Sequence, residues 1–142
     1  MRDLHNHIYP KRGLSPVAAG TDNTAMVSQI VDTLGFNSVE FVMMVGANTD
    51  ADATFAVLFE DGDDPALSDH AAVADADLLG TELQAGFQFD DDNECRKIGY
   101  VGNKRYCRVT VTPTGNAAGN IFLAAVWILG NPSTMPTANP PT

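Results

Sequence analysis

The chain repeatedly writes short runs in which every second residue is apolar, and closes each run with Gly, Pro, Asn or Asp. A period of two puts alternate side chains on opposite faces of an extended backbone, so the pattern calls for half-buried strands rather than helices. Ser38 to Val45 is the clearest run, with Val39, Phe41, Met43 and Val45 on one face. Thr54 to Glu60 is another, ended by the turn residues Asp61-Gly62-Asp63-Asp64-Pro65. Thr81 to Phe89 alternates Leu83, Ala85, Phe87 and Phe89 with polar residues and predicts a third, and the β-branched residues of Met26 to Asp32 favour a strand there. Cys95 to Val101 and Lys104 to Thr112 flank Gly102-Asn103 and predict a hairpin with a two-residue turn. Ile121 to Leu129 is continuously apolar, as expected of a strand covered on both faces. The alanine-rich Ala66 to Gly80 predicts a loop with at most one helical turn.

These elements predict an all-β fold, a β-sandwich or jelly roll of two antiparallel sheets with an extended N-terminal arm. At 142 residues the chain suits one domain. Residues 1–20 carry two prolines, two histidines and three bases without periodicity and read as the arm; 21–130 form the sandwich; 131–142 are a Pro-rich tail. The predicted core comprises Val39, Phe41, Phe55, Val57, Phe87 and Phe89 from the first half of the chain. From the second half it takes Ile98, Tyr106, Val109, Val111, Phe122, Val126 and Ile128.

Charge is segregated along the sequence. Asp50 to Glu94 holds fourteen acids and no Lys or Arg, and the net charge is −10. That balance argues against nucleic acid as a partner. The longest apolar run is far short of a membrane span, and the first residues lack the apolar stretch of a secretory signal, so synthesis in the cytoplasm and no membrane partner are expected. All eight bases lie in the leading segment or after residue 94. The acids read as turn residues that keep a β protein soluble and blunt its strand edges, or as one side of a dipolar module whose basic arm and basic hairpin face an acidic partner while the acidic loops face solvent.

The chain offers little chemistry, and no enzymatic activity is expected. No serine lies in a G-x-S-x-G elbow, and His5, His7 and His70 fall in the arm or an acidic loop, where a base is poorly positioned. No catalytic, cofactor-binding or metal-binding residue is assigned. Asp50-Ala51-Asp52 begins like a calcium loop but places Phe55 where an EF-hand needs glycine, so solvated acidic turns are the better reading. Gly99 to Lys104 lacks the spacing of a phosphate loop. Cys95 and Cys107 are expected to be reduced, and the two-residue turn would not set them opposite each other. Trp127 suits either core packing or a subunit interface.

Several segments together carry a resemblance. They are Arg2-Asp3-Leu4-His5-Asn6, Val27 to Asp32, Ala51 to Phe55, Phe59 to Asp63, Ala72 to Thr81 and Lys97 to Gly102. The chain resembles small tailed-phage proteins encoded among head genes, over roughly residues 1–130. The resemblance implies a virion structural protein, most like the capsid decoration (cement) proteins that bind the outer face of an HK97-type shell, with a jelly-roll-like fold, the major capsid protein as partner, and a place on the capsid surface of the virion. On this reading Arg2, His5, His7, Tyr9, Lys11 and Arg12 are the expected capsid-binding residues of the arm. Met43, Met44 and Trp127 are the expected contacts of a dimer or trimer. A head-tail connector or tail component, and a receptor- or glycan-binding module, are the alternatives.

Overall fold

Alternation sets the strands, and their partners are chosen by where each apolar face can be buried. The computed structural model describes residues 2–142. In chain order the strands are β1 (Ile8–Leu14), β2 (Met26–Val27), β3 (Val31–Asp32), β4 (Phe36–Asn48), β5 (Thr54–Gly62) and β6 (Ala71–Ala72). They continue as β7 (Leu78–Leu79), β8 (Phe87–Gln88), β9 (Cys95–Tyr100), β10 (Tyr106–Thr114) and β11 (Ile121–Pro132). One sheet has five strands in the order β1-β11-β4-β9-β7. The other runs β2-β10-β5-β6, with β3 added against β10 and β8 against β5. Every pairing is antiparallel. The fold is therefore the expected all-β sandwich of two sheets. Its two long pairs, β4 with β11 and β5 with β10, are nested in sequence, as when a jelly roll is wound.

The core lies between the sheets. Val39, Phe41, Met43 and Val45 of β4 point inward as their alternation predicts, opposite Phe55, Val57 and Phe59 of β5. Aromatic rings run through its centre: Phe41 packs on Trp127 at 4.6 Å between centroids, Trp127 meets Phe59 edge-on at 5.7 Å, and Phe59 stacks on Tyr100 at 5.5 Å. Trp127 is fully buried, and its Nε1–H donates to the Gln29 carbonyl at 3.0 Å. Burying the indole therefore leaves no orphan donor.

Four expectations are corrected. In β11 the inward residues are Ile121, Leu123, Ala125, Trp127 and Leu129, so Phe122, Val126 and Ile128 lie on the outer face. A continuously apolar strand gives no phase, and the bulky Trp127 takes the interior. Phe89 is likewise 38% exposed, and Tyr106 is only half-buried.

The hairpin does not form. β9 pairs with β4 and β7, whereas β10 pairs with β5, β2 and β3, so residues 101–105 cross from one sheet to the other. Ile98 and Tyr100 are buried under one sheet while Cys107, Val109 and Val111 are buried under the other, and each run gains more by covering the core than by pairing with its neighbour. Gly102 is needed here for space: a Cβ on it would sit 2.5 Å from the Tyr100 ring.

Thr81 to Phe89 is not a single strand. It holds α1 (Glu82–Ala85), one turn capped by Thr81, whose Oγ1 accepts from the Gln84 N–H at 3.1 Å, and only then β8. The Glu82 carboxylate accepts from the Phe59 N–H at 2.6 Å and so closes part of the β5 edge that no strand covers.

Finally, the leading segment is not a free arm. Residues 8–14 pair with β11 from Ile8 opposite Gly130 to Leu14 opposite Ala125, with a bulge after Arg12. At that bulge Gly13 lies against Phe41, where a Cβ would be 2.7 Å from the ring. The Pro10, Lys11 and Arg12 that masked the strand signal are edge-strand devices. Ile8 turns its carbonyl away from β11 to the Thr137 hydroxyl at 2.6 Å, and Pro10, of the same parity, has no N–H to leave open on that side.

Candidate binding face

The residues expected to grip a partner are divided by this fold. Tyr9 and Lys11 share the inner side of β1 with Trp127 and Leu129. Tyr9 stacks on Phe36 at 5.3 Å, the Lys11 ammonium lies 5.2 Å from the Tyr9 ring, and both reach Thr142 of the tail. His5 and His7 form a 3₁₀ turn closed by the His7 N–H bonding to the Leu4 carbonyl at 3.0 Å. Arg2 is exposed, and Arg12 projects from the outer side of the sheet with only Ser15 Oγ near it, at 3.2 Å. Of the expected oligomer contacts, Met43 and Trp127 are fully buried within the subunit and cannot meet a second one, because each faces the opposite sheet; Met44 is 62% exposed.

Four of the five bases of the expected hairpin are also spent inside the chain. Lys104 pairs with Asp63 at 2.6 Å, and Arg105 bonds both oxygens of Asp32 at 2.8 and 2.9 Å. Arg108 reaches Glu60 at 2.8 Å, and Arg96 reaches Glu94 at 2.6 Å and Asp91 at 3.1 Å. The Glu60 carboxylate, almost fully buried, also bonds His70 Nδ1 at 2.7 Å. Forty-eight residues separate Glu60 from Arg108, and nothing local in the sequence marks this buried cluster. The acidic turns are organised from within as well: Asp69 accepts from the Asp63 and Asp64 N–H groups at 2.8 and 3.1 Å, which holds its carboxyl below the usual range. Asp50 does the same for Asp52 and Ala118, each at 3.1 Å.

Once these pairs are drawn, Arg2, Lys11, Arg12 and Lys97 are the bases left without a carboxylate within 4 Å among the described residues. Arg12 and Lys97 both lie on the outer face of the five-stranded sheet, whose centre is apolar. Phe122, Val126 and Ile128 of β11 stand there beside Val42 and Met44 of β4, and Leu79 borders them on β7. Glu40, half-buried on the same face, has its carboxyl pushed up by burial, with Lys97 opposing the shift. The sequence held this signal: the apolar run of β11 was expected to be covered on both faces, and the sandwich covers one.

A second feature is a groove of about 550 Å³ along the open stretch of β5 between β6 and β8, lined by Ala56, Val57, Leu83, Phe87, Gln88 and Asp91 among others. Odd-numbered residues of β5 turn their backbone groups to this edge, since the Ala53 and Phe59 carbonyls accept there from Phe89 and Val73. The Val57 peptide therefore faces the groove. Leu83 stands over it, 91% exposed.

Two antiparallel sheets closed over a single core, with one open sheet face and one edge groove, define a β-sandwich module. No protein-family model matches the sequence, and no curated protein is similar to it. Among solved structures the fold is shared with the PBSX exported protein XepA, at 13% identity and a TM-score of 0.54 over 94% of this chain. The chain spans about two fifths of that protein's length, 40%. Lower-scoring similarities are to the xylan-binding module CBM15 (TM-score 0.43, 12% identity, 93% of this chain and 95% of that one). The CBM22-1–GH10 modules of xylanase Xyn10B from Clostridium thermocellum score 0.44 at 14% identity, over 95% of this chain and 28% of theirs.

Proposed function

We propose that this chain is a structural module of a tailed-phage virion that binds the major capsid protein on the outer face of the shell and stabilises the assembled particle. The observation that carries this reading is the open apolar face of the five-stranded sheet, with Arg12 and Lys97 unpaired at its margins. An exposed apolar sheet face with cations at its margins suits another macromolecular surface; a small substrate needs a concave site. The resemblance to head-gene proteins supports the same reading, and the fold shared with part of the PBSX exported protein XepA is consistent with it. A module that binds the assembled shell and not free subunits stabilises assembly by mass action, and weak contacts repeated over a lattice are enough.

The test is copy number in particles of the phage that encodes the chain. Densitometry against the major capsid protein is expected to give copies in proportion to capsomers. A handful per particle would instead identify a connector or tail component. The β5 groove favours a second reading, a glycan- or receptor-binding module of the virion. In that case the protein would be retarded in a gel containing host surface polysaccharide, and Leu83→Ser would abolish the retardation.

A further inference from the structure

Strand register assembles a band across the outer face of the five-stranded sheet. Arg12 on β1 lies opposite Val126 on β11, Val126 opposite Val42 on β4, and Val42 opposite Lys97 on β9. Two valines thus sit between two cations about 14 Å apart, three strand spacings. Neither cation has a carboxylate within ion-pair distance, although the chain carries more than two acids for each base. Of the rows on either side, the one above sets Ile128 beside the half-buried Glu40 and the one below sets Met44 beside Ala124. With its flanking rows the face measures roughly 20 by 20 Å, on the order of 400 Å². A standard protein interface takes about 800 Å² from each partner, so this face supplies about half of one and its rim the rest.

We propose that this band is the docking surface for an acidic, apolar-centred patch of the major capsid protein, in which an aliphatic segment covers Val126 and Val42 while one carboxylate pairs with Arg12 and another with Lys97. The inference rests on the decoration reading and names the surface that performs it. Charge selects the occupant. A second copy of the chain would bring the same two cations against this band, and the rest of its surface carries the excess acid of a −10 chain, so like charges would meet at the band and again around it. A partner whose acid is confined to two carboxylates around an apolar centre, with a neutral or basic rim, meets neither penalty. The band also explains why Arg12 and Lys97 are left unpaired where the other sheet's cations are not.

The experiment uses the full chain and shells assembled from the major capsid protein of the same phage, with binding read by co-sedimentation. Arg12→Glu combined with Lys97→Glu is expected to weaken binding about a hundredfold and to turn its salt dependence from falling to rising, because two charge pairs become two repulsions that salt screens. Thr112→Glu, exposed on the opposite sheet, should bind within twofold of wild type. Unchanged Trp127 emission and thermal midpoint establish that both variants are folded. Undiminished binding by the double variant, or loss of binding by Thr112→Glu alone, overturns the docking surface and leaves the decoration reading standing. Failure of the wild type to bind any shell overturns the decoration reading, and this partner with it. Self-association of the wild type that the double variant abolishes assigns the band to a second copy and overturns the proposal.

Discussion

Replacing Tyr100 by Phe removes a single oxygen and tests the crossing between the sheets. The Tyr100 hydroxyl donates to Asp61 Oδ2 at 2.7 Å and accepts from the Lys104 N–H at 2.9 Å, so it pins residues 101–105 to the end of β5 while its ring stacks on Phe59. The ring and its packing survive in Tyr100→Phe, and no cavity opens. A hydrogen bond to a charged acceptor contributes roughly 1.5–3 kcal/mol, and water replaces part of the bond to the exposed Lys104 amide, so the loss should be about 2–3 kcal/mol. For a domain of this length that corresponds to a fall of roughly 6–12 °C in Tm. Burial, and after it the bond to Asp61, raises the phenol's pKa above its ordinary value. A group protonated more firmly when folded contributes stability that is complete below its unfolded pKa, ~10, and is lost only above it. The difference between wild type and variant should therefore be flat from pH 6 to pH 9. Urea unfolding followed by the fluorescence of Trp127, the only tryptophan and fully buried, measures it directly. A loss below about 0.5 kcal/mol, less than an ordinary net hydrogen bond, would refute the anchoring of the crossing by this hydroxyl.

Cys95 is exposed and Cys107 buried, and burial pushes the Cys107 thiol up, so native alkylation should modify Cys95 alone and unfolding should release the second site, as read by mass spectrometry. Arg108→Leu strips the cation from a carboxylate whose side chain is only 9% exposed and should cost about 2–3 kcal/mol, whereas Lys104→Ala, which removes a surface pair, should cost less than about 1 kcal/mol by chemical denaturation. Glu40 has its pKa raised by burial, so its ionisation opposes folding: the contribution is favourable below the unfolded carboxylate range and lost as pH rises through the folded value. Glu40→Gln should therefore be at least as stable as wild type at pH 7, with the gap closing as pH falls through the raised folded value and gone once pH is below the ordinary 4.5 of a glutamate, in melts across that range.

The long strands were legible because alternation is a local property. In β4 the inward set Val39, Phe41, Met43 and Val45 can be read from the sequence without a partner in view. Partners are not local. Cys95 to Thr112 looks like a hairpin at every position, and only the competition of two sheets for the same core separates β9 from β10. The phase of β11 was hidden because each of its residues from Ile121 to Leu129 is apolar, and β1 because the charges and proline that protect an edge resemble those of an arm. α1 had left a mark: Thr81 followed three residues later by Gln84 is the beginning of a capping box, and the alternation of the same residues outweighed it. For the candidate face, Arg12 and Met44 were named from the sequence. Lys97, Val42 and Val126 enter only through register, which brings together residues 12, 42, 97 and 126.

The order in which the strands are made has a consequence for synthesis. β11 pairs with both β1 and β4 and leaves the ribosome more than seventy residues after β4. While the chain is being elongated, β1 has no neighbour and the apolar side of β4 has only a partial cover. Contacts this distant in sequence make folding slow and leave strand edges open in the nascent chain. Assembly of the five-stranded sheet thus waits for β11, and a stalled or truncated product lacking residues 121–132 should be a substrate for chaperones and an aggregation hazard rather than a partly working module.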